Sequence, residues 1–204
     1  TYDPVKDLAL VNLTVMAPNV LAVNPMVAAT SVRELVALAK SQPGKLNYAT
    51  AGIGGNVHLN TALFISRAGL DMTMIPYRSG APAMAGLVAG DVDMYFGNAS
   101  ELMLHTETKQ LKILAVSTRE RIPHLPDIHA VAETFPGFDT SSWNGFLAPA
   151  GMPQAIVETI EGLTMKAARD PDIVERLGQL AIVPFGTTRV EFQKAIEQTK
   201  VINR

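Results

Sequence analysis

Two glycine-bearing corners carry the residues best suited to chemistry. The first is Thr50-Ala51-Gly52-Ile53-Gly54-Gly55, with His58 just beyond it. The second, Arg78-Ser79-Gly80-Ala81-Pro82, follows the apolar run Met72 to Tyr77. Each reads as the end of a strand, a turn and the start of a helix. A helix N-terminus offers unpaired N–H groups and a partial positive charge, and glycine lets backbone approach an anion closely. Two such corners side by side suit a carboxylate or phosphate. The three glycines among positions 52–55 exceed what a plain turn needs. They are not a dinucleotide fingerprint, because Val57 stands where the third glycine belongs. No G-K-[ST] follows, which excludes a phosphate-cradling nucleoside triphosphate loop.

Other side chains fit around this anion chemistry. His58 falls on the first turn of the following helix, as a solvent-facing polar residue or as a neutral hydrogen-bond donor. Arg78 is either a surface charge or a fork for a carboxylate. Asn98 and Ser100 read as helix caps, and Gly97-Asn98 also stands where it could face a ligand. Trp143, the single tryptophan, packs a core or floors a cleft opposite the glycines. Nothing nearby reacts with what is held. There is no G-x-S-x-G elbow and no H-E-x-x-H helix, and Asp91, Asp93 and His58 are only loosely gathered. His105, His124 and His129 lack metal-ligand spacing, so neither a metal nor a cofactor is expected.

Composition narrows the classes. Hydrophobic residues make up 48% of the 204, enough for a core, and charged residues only 18%, which excludes a disordered chain. A net charge of −2, no long basic run and 6% aromatics argue against nucleic acid as a partner. The absence of cysteine removes disulfides, thiolate zinc sites and a cysteine nucleophile. No apolar run reaches membrane-spanning length.

The elements that must position the corners alternate. Leu8 to Leu13 is apolar with Asn12 interrupting, and Val20 to Val23 is a short strand stopped by Asn24-Pro25. Ser31-Val32-Arg33-Glu34 is a capping box opening a helix that ends at Pro43-Gly44. A strand at 46–50 leads into the first corner and a helix to Ala68, closed by Gly69. A strand at 72–77 leads to a helix expected from Pro82, with proline at its first position, and Gly90 ends it. Further strands are expected at 92–96 and 111–116, with a short helix near 99–106 between them. This alternation predicts a mostly parallel sheet covered on both faces. Residues 119–137 read as an irregular connector. A strand at 141–148 follows, then a helix from Pro153 to Arg169 and one capped by Asp170 that turns Ile173, Val174 and Leu177 inward. Thr188-x-x-Glu191 boxes the last helix.

With these residues in view, the chain resembles the Bug/TctC family, the periplasmic solute-binding receptors of tripartite tricarboxylate transporters. The matching text includes Tyr2-Asp3-Pro4-Val5-Lys6-Asp7, Pro18-Asn19-Val20-Leu21 and Pro43-Gly44-Lys45-Leu46-Asn47-Tyr48-Ala49. It continues through Ala51-Gly52 to His58-Leu59, Pro76-Tyr77-Arg78 and Gly80-Ala81-Pro82-Ala83. Later come Ala115-Val116-Ser117, Leu125-Pro126-Asp127-Ile128 and Ser142-Trp143-Asn144-Gly145. The resemblance implies an α/β, type II periplasmic-binding-protein-like fold of two lobes that close on a ligand. Residues 20–115 would form one complete βα lobe, with 1–19 and 116–204 as remaining parts of the other. It implies a small organic anion, a mono- or dicarboxylate, held by backbone N–H groups at Thr50–Gly55, with Arg78–Ala81 beside it and Gly97–Ala99 completing the wall. The implied partners are the transporter's membrane components. Family members begin with strand–helix units ahead of the text matching Tyr2 and continue a little beyond that matching Arg204. The first lobe is therefore expected to be incomplete, and its open edge to favour self-association.

Two rival classes follow from the same text. One is the effector-sensing domain of a transcription regulator, which would need a DNA-binding segment upstream. The other is a hydrolase using His58 with Asp91 or Asp93.

Overall fold

The computed structural model describes residues 2–105, 108–122 and 125–202, with side-chain surroundings for all of these except 104 and 198–202. The chain divides into two compact units, one of Pro18–Ser142 and one of Thr1–Ala17 with Trp143–Arg204. Strand β1 (Leu8–Val23) runs through both as one element. Asn12 does not break it. It is wholly buried, and its side-chain amide donates to the Thr164 hydroxyl. An internal partner meets the cost of burying that amide.

The larger unit is built on a five-stranded sheet. Its strands are the C-terminal half of β1, β2 (Asn47–Ala51), β3 (Thr73–Tyr77), β4 (Met94–Asn98) and β5 (Lys112–Val116), in the order β3-β2-β4-β1-β5. β2 pairs in parallel with both β3 and β4. β1 is antiparallel to β4 and to β5, so the sheet is mixed rather than mostly parallel. The reason is topological: β1 precedes the repeating βα units and enters the sheet from its far end. Met94, Tyr95 and Phe96 are all buried although successive strand residues face opposite sides, so β4 is covered on both faces.

Local chemistry sets the helices. α1 (Val32–Ser41) starts at Ser31, whose hydroxyl accepts from the Glu34 amide at 3.2 Å. The Glu34 carboxylate reaches one residue further back than a capping box requires, to the amide and hydroxyl of Thr30. α2 (Asn56–Ala68) ends at Gly69, and α3 (Gly80–Ala89) at Gly90, each glycine left-handed at φ 61° and 84°. α3 begins two residues before Pro82. Ser79 is its extended cap, and proline fits inside a first turn whose N–H groups lack helical partners anyway. α4 (Ala99–Leu102) is a single turn continued by a 3₁₀ turn, Met103–His105.

The connector belongs to this unit through residue 142, beyond the expected limit at 115, and aromatic packing explains why. Phe138 stacks on Phe96 at 6.1 Å and meets Phe64 edge-on at 6.4 Å, while Phe64 also meets Phe96 and Phe135 edge-on. The Val116 amide donates to the His129 carbonyl, and the Thr140 amide to that of Ser117. Within the connector, Arg121 Nε donates to Glu133 Oε1 at 2.8 Å, and His129 Nδ1 lies 2.7 Å from Glu133 Oε2. The Ala130 amide also donates to Glu133. These bonds, Arg121's above all, hold the Glu133 carboxyl well below its ordinary value.

In the smaller unit, β6 (Ser141–Pro149) and β7 (Val183–Pro184) pair with β1. α5 (Gln154–Ala167), α6 (Pro171–Gln179) and α7 (Arg189–Ile202) complete it. Asp170 caps α6 by accepting from Asp172 and Ile173, and Thr188 and Glu191 cap each other ahead of α7. The buried cluster is small, with Val11, Ala148 and Val157 at its centre. Ile173 and Val174 do not turn inward, remaining 38% and 40% exposed. Phe146, Leu163 and Phe185 are likewise exposed, and nothing among the described residues covers this apolar surface. No helix among the described residues is long and apolar enough to cross a membrane.

Phe64→Ala removes the ring on which three others converge and should cost about 3–5 kcal/mol, read by urea denaturation of the intact chain. A second expectation concerns acid. A carboxyl held low in the fold adds stability above its ordinary range, and that contribution is lost as pH falls through and below the range. Hydrogen-exchange protection of the Ala130 amide should therefore fall on acidification, and Glu133→Gln should abolish the pH dependence.

Candidate functional site

The register of the larger sheet brings three loops to one edge. Ala51 at the end of β2 pairs with Tyr77 at the end of β3, and Ala49 pairs with Tyr95 of β4. The three strands run the same way, so the turns after Ala51, Tyr77 and Asn98 leave from the same end of the sheet. The chain leaves β2 toward β3 on one side and returns to β4 on the other. Open α/β sheets bind ligands at such switch points, outside the carboxyl ends of the strands.

At the first corner the glycine amides are largely spent on the turn itself. Gly52 donates to the Tyr77 carbonyl at 3.0 Å, Gly55 to that of Gly52 at 3.4 Å, and Gly54 to His58 Nδ1 at 3.1 Å. Gly52 and Gly54 hold φ of 85° and 81°, where a side chain would be strained. Donors are left over at Ile53 and in the first turn of α2. Gly55 caps that helix without a side-chain bond, and the amides of Asn56, Val57 and His58 find no acceptor among the described residues. No acidic residue lies in the first turn of α2 to occupy them. The three glycine N–H groups fix the turn, while the Ile53 amide within Thr50–Gly55 and the amides of the first turn of α2 just after it find no acceptor among the described residues. With Nδ1 accepting, the proton of a neutral His58 ring sits on Nε2, available to donate. Thr50 is wholly buried beneath the corner, and its hydroxyl has no partner among the described residues. Ile53 at the tip is 72% exposed. Asn56 Nδ2 reaches the Ser141 carbonyl at 3.4 Å, a link that no local pattern announces.

The second corner differs. Arg78 is exposed, and its guanidinium makes no ion pair among the described residues. Ser79 caps α3 with no side-chain bond, and Ala81 is exposed. A Cβ on Gly80 would collide with the Glu101 carboxylate. Sequence reasoning missed Glu101. Its signal was the spacing Asn98-x-x-Glu101, cap to third helical residue. The two side chains bond each other here, Asn98 Nδ2 donating to Glu101 Oε1 at 3.1 Å. Asn98 Oδ1 and Glu101 Oε2 are enclosed and unpartnered, as is the hydroxyl of fully buried Tyr95. Burial, with Glu101 adding to it, pushes the Tyr95 hydroxyl up.

The remaining candidates have partners of their own. Trp143 belongs to the smaller unit, where it meets Phe192 edge-on at 5.3 Å. Asp93 lies at the opposite end of the sheet from His58, clasping Asn47 at the start of β2 by two bonds of 2.8 and 2.9 Å. The loose Asp91, Asp93 and His58 grouping is therefore dissolved. His105 and His129 bond Gln110 and Glu133 respectively, and His124 lies outside the described residues. No group of three or more metal-ligating side chains occurs among the described residues. A cavity of about 870 Å³ lined by Val5, Leu8, Leu147 and Val190 belongs to the smaller unit and draws no lining from the corners.

Known proteins share this fold. The family model for the tripartite tricarboxylate transporter family receptor, TctC, matches residues 1–203. A relative from Pseudomonas sp., the UPF0065 protein in the tcbD-tcbE intergenic region, is 36% identical over 91% of this chain. The structure of R. palustris Rpa4515 with adipate superposes with a TM-score of 0.92 at 30% identity over 97% of the chain. The periplasmic binding protein BugD superposes at 0.88 with 26% identity over 99%. The chain spans 56% of the length of the Pseudomonas relative, 66% of the R. palustris chain and 69% of BugD. The match to the family model along nearly the whole sequence, together with the α/β fold just described, shows that this chain belongs to the TctC family of tripartite tricarboxylate transporter receptors.

Proposed function

We propose that the chain is the ligand-capturing portion of a periplasmic solute-binding receptor, and that it takes a small organic carboxylate at the first corner without chemically altering it. The observation that carries this reading is the first turn of α2. Three amides there lack acceptors among the described residues, no acidic side chain occupies the helix end, and a turn with two left-handed glycines holds that end in place. Amides and helix dipole act together on an anion, and a preorganised site spares the ligand the cost of ordering it. His58 adds a side-chain donor and Arg78 a long-range attraction. Neither is paired with a nucleophile or a metal group, which supports binding without turnover. The solved R. palustris relative was crystallised with adipate, a carboxylate, which supports the ligand class. Delivery to the membrane components of a tripartite transporter is part of the same proposal, on the strength of family membership.

Calorimetric titration with a panel of mono- and dicarboxylates tests the reading, and absence of heat across the panel would sink it. A backbone variant sharpens the test. Asn56 is the first helical residue, and Gly55 before it sits at φ −73°, ψ 168°, a conformation that tolerates a following proline. Asn56→Pro removes one amide donor while the helix keeps its start. Hydrogen bonds to charged groups contribute about 1.5–3 kcal/mol, so carboxylate affinity should fall about tenfold or more beyond that of Asn56→Ala. Equal affinities in the two variants would show that the α2 amide does not touch the ligand.

A further inference from the structure

Helices α1, α2 and α7 begin with the same local bond, and α2 departs from the others in charge. In α1 the third helical residue, Glu34, accepts at 2.7 Å from the amide of Thr30, two residues ahead of the first helical one. In α7 the third helical residue, Glu191, accepts from the amide of Thr188 at 2.8 Å. In α2 the third helical residue is His58, and its Nδ1 accepts at 3.1 Å from Gly54, again two residues ahead of the first. A side chain at this place that accepts from an amide ahead of the helix is ordinarily Glu or Gln. The bonds with Thr30 hold the Glu34 carboxyl below its ordinary value, and those with Thr188 do the same for Glu191. α1 and α7 therefore open on a carboxylate, which the helix dipole favours. α2 opens on an imidazole. A backbone N–H can only donate, so Nδ1 carries a lone pair and the ring is neutral.

That bond is one of few that hold the turn. Gly52 is fastened to the Tyr77 carbonyl at 3.0 Å, whereas Gly55 meets the Gly52 carbonyl only at 3.4 Å, a long hydrogen bond. Between them Gly54, at φ 81°, has His58 as the acceptor of its amide. Beyond it the amides of Asn56, Val57 and His58 find no acceptor among the described residues. At the same corner Thr50 is wholly buried, with a hydroxyl that lacks a partner among the described residues. A carboxylate at position 58 would close the turn more firmly, since charge-assisted bonds are the stronger ones. It would also set a negative charge in the helical turn whose amides are open, and so repel an arriving anion. A neutral acceptor closes the turn and adds no such charge. The charged side chain of α2 itself is Arg67, in its last turn. On the neighbouring elements the charged groups are Arg78 after β3, Glu101 on α4 and Asp139 ahead of β6, and none forms an ion pair with the imidazole among the described residues.

We infer that His58 is a positioning residue: it fastens the first corner as a neutral acceptor, so that the turn is closed while the end of α2 stays free of negative charge for a ligand carboxylate. This inference rests on the carboxylate-binding reading above and adds the residue that keeps the site both shaped and open to anions. A dependence on pH follows. An imidazolium donates at both nitrogens, so protonating His58 removes the acceptor and sets two N–H groups against each other. The corner is fastened by the neutral ring and released as the ring gains a proton.

The test compares the unaltered chain with His58→Gln, His58→Glu and His58→Leu. Two quantities are read: protection of the Gly54 amide against hydrogen exchange in the ligand-free chain, and calorimetric affinity for succinate and adipate at about pH 7.5, where an ordinary histidine is neutral. His58→Gln keeps a neutral acceptor and should retain both protection and affinity. His58→Glu should retain or raise the protection yet weaken whichever acid binds by about tenfold or more, because a like charge now stands beside the open amides. His58→Leu should lower Gly54 protection by about tenfold, the worth of one hydrogen bond. Acidification to about pH 5.5 should lower that protection, relative to the intrinsic exchange rate, in the unaltered chain and not in His58→Gln. Should His58→Leu fail to fold, acidification removes the same acceptor from the unaltered chain. A merely structural role would leave the Gln and Glu variants alike in affinity. Equal affinities in those two variants, or Gly54 protection that survives loss of the acceptor, overturns this inference and leaves carboxylate capture standing. No heat from either acid with any form of the chain overturns both.

Discussion

Parallel pairing of β2 with both of its neighbours is the constraint on which the rest depends. A parallel neighbour requires the chain to leave at one end of the sheet and return through a helix to start at the other. Each return plants a helix N-terminus at the same edge. The loops after β2, β3 and β4 are therefore gathered by topology before any side chain is chosen. What the side chains then decide is which of those helix ends stays open. At α2 the turn consumes its own glycine amides in Gly52 to Tyr77, Gly54 to His58 and Gly55 to Gly52, which locks the corner and leaves the helical amides unclaimed. At α3 the Glu101 carboxylate lies against Gly80, and its Oε2 accepts no hydrogen bond among the described residues.

β1 imposes a different constraint. It is antiparallel to β4 and β5, and it continues as the strand that β6 and β7 flank in the smaller unit. One strand thus serves two cores, which is why Asn12 within it must find the Thr164 hydroxyl and cannot interrupt it. Near the end of the larger unit, the Asn19 amide donates to the Ser117 hydroxyl, and the Ser142 hydroxyl to the Asn19 carboxamide. These bonds satisfy only part of each buried carboxamide, since Asn12 Oδ1 and Asn19 Nδ2 find no partner among the described residues. The smaller unit has a thinner core and more exposed apolar surface, whereas the aromatic cluster around Phe64 gives the larger one its rigidity.

Charge placement distinguishes a holding site from a reacting one. Asp93 is committed to Asn47 at the end of the sheet remote from His58. His58 Nδ1 accepts from the Gly54 amide, a bond that closes the turn. Glu101 is bound by Asn98 and directed at a helix end. Asp93, His58 and Glu101 each bond a partner of their own, and no two of the three bond each other among the described residues.

Much of the local structure was legible in the sequence. Ser31, Asp170 and the Thr188–Glu191 pair announced their caps, Gly69 and Gly90 their helix ends, and the glycine run its left-handed turn, because those features are settled within about four residues of chain. The alternation of strands and helices and the family text likewise stood in the sequence alone. What only the tertiary structure decided depends on partners far away in the chain. Strand direction at β1, the retention of Phe138 in the larger unit, the exposure of Ile173 and Val174, and the meeting of Glu101 with Gly80 all fall in this group. Local pattern says that a helix end exists. It cannot say which distant side chain will lie against that end, as Glu101 lies against Gly80, because that is settled by which strands pair and in what register.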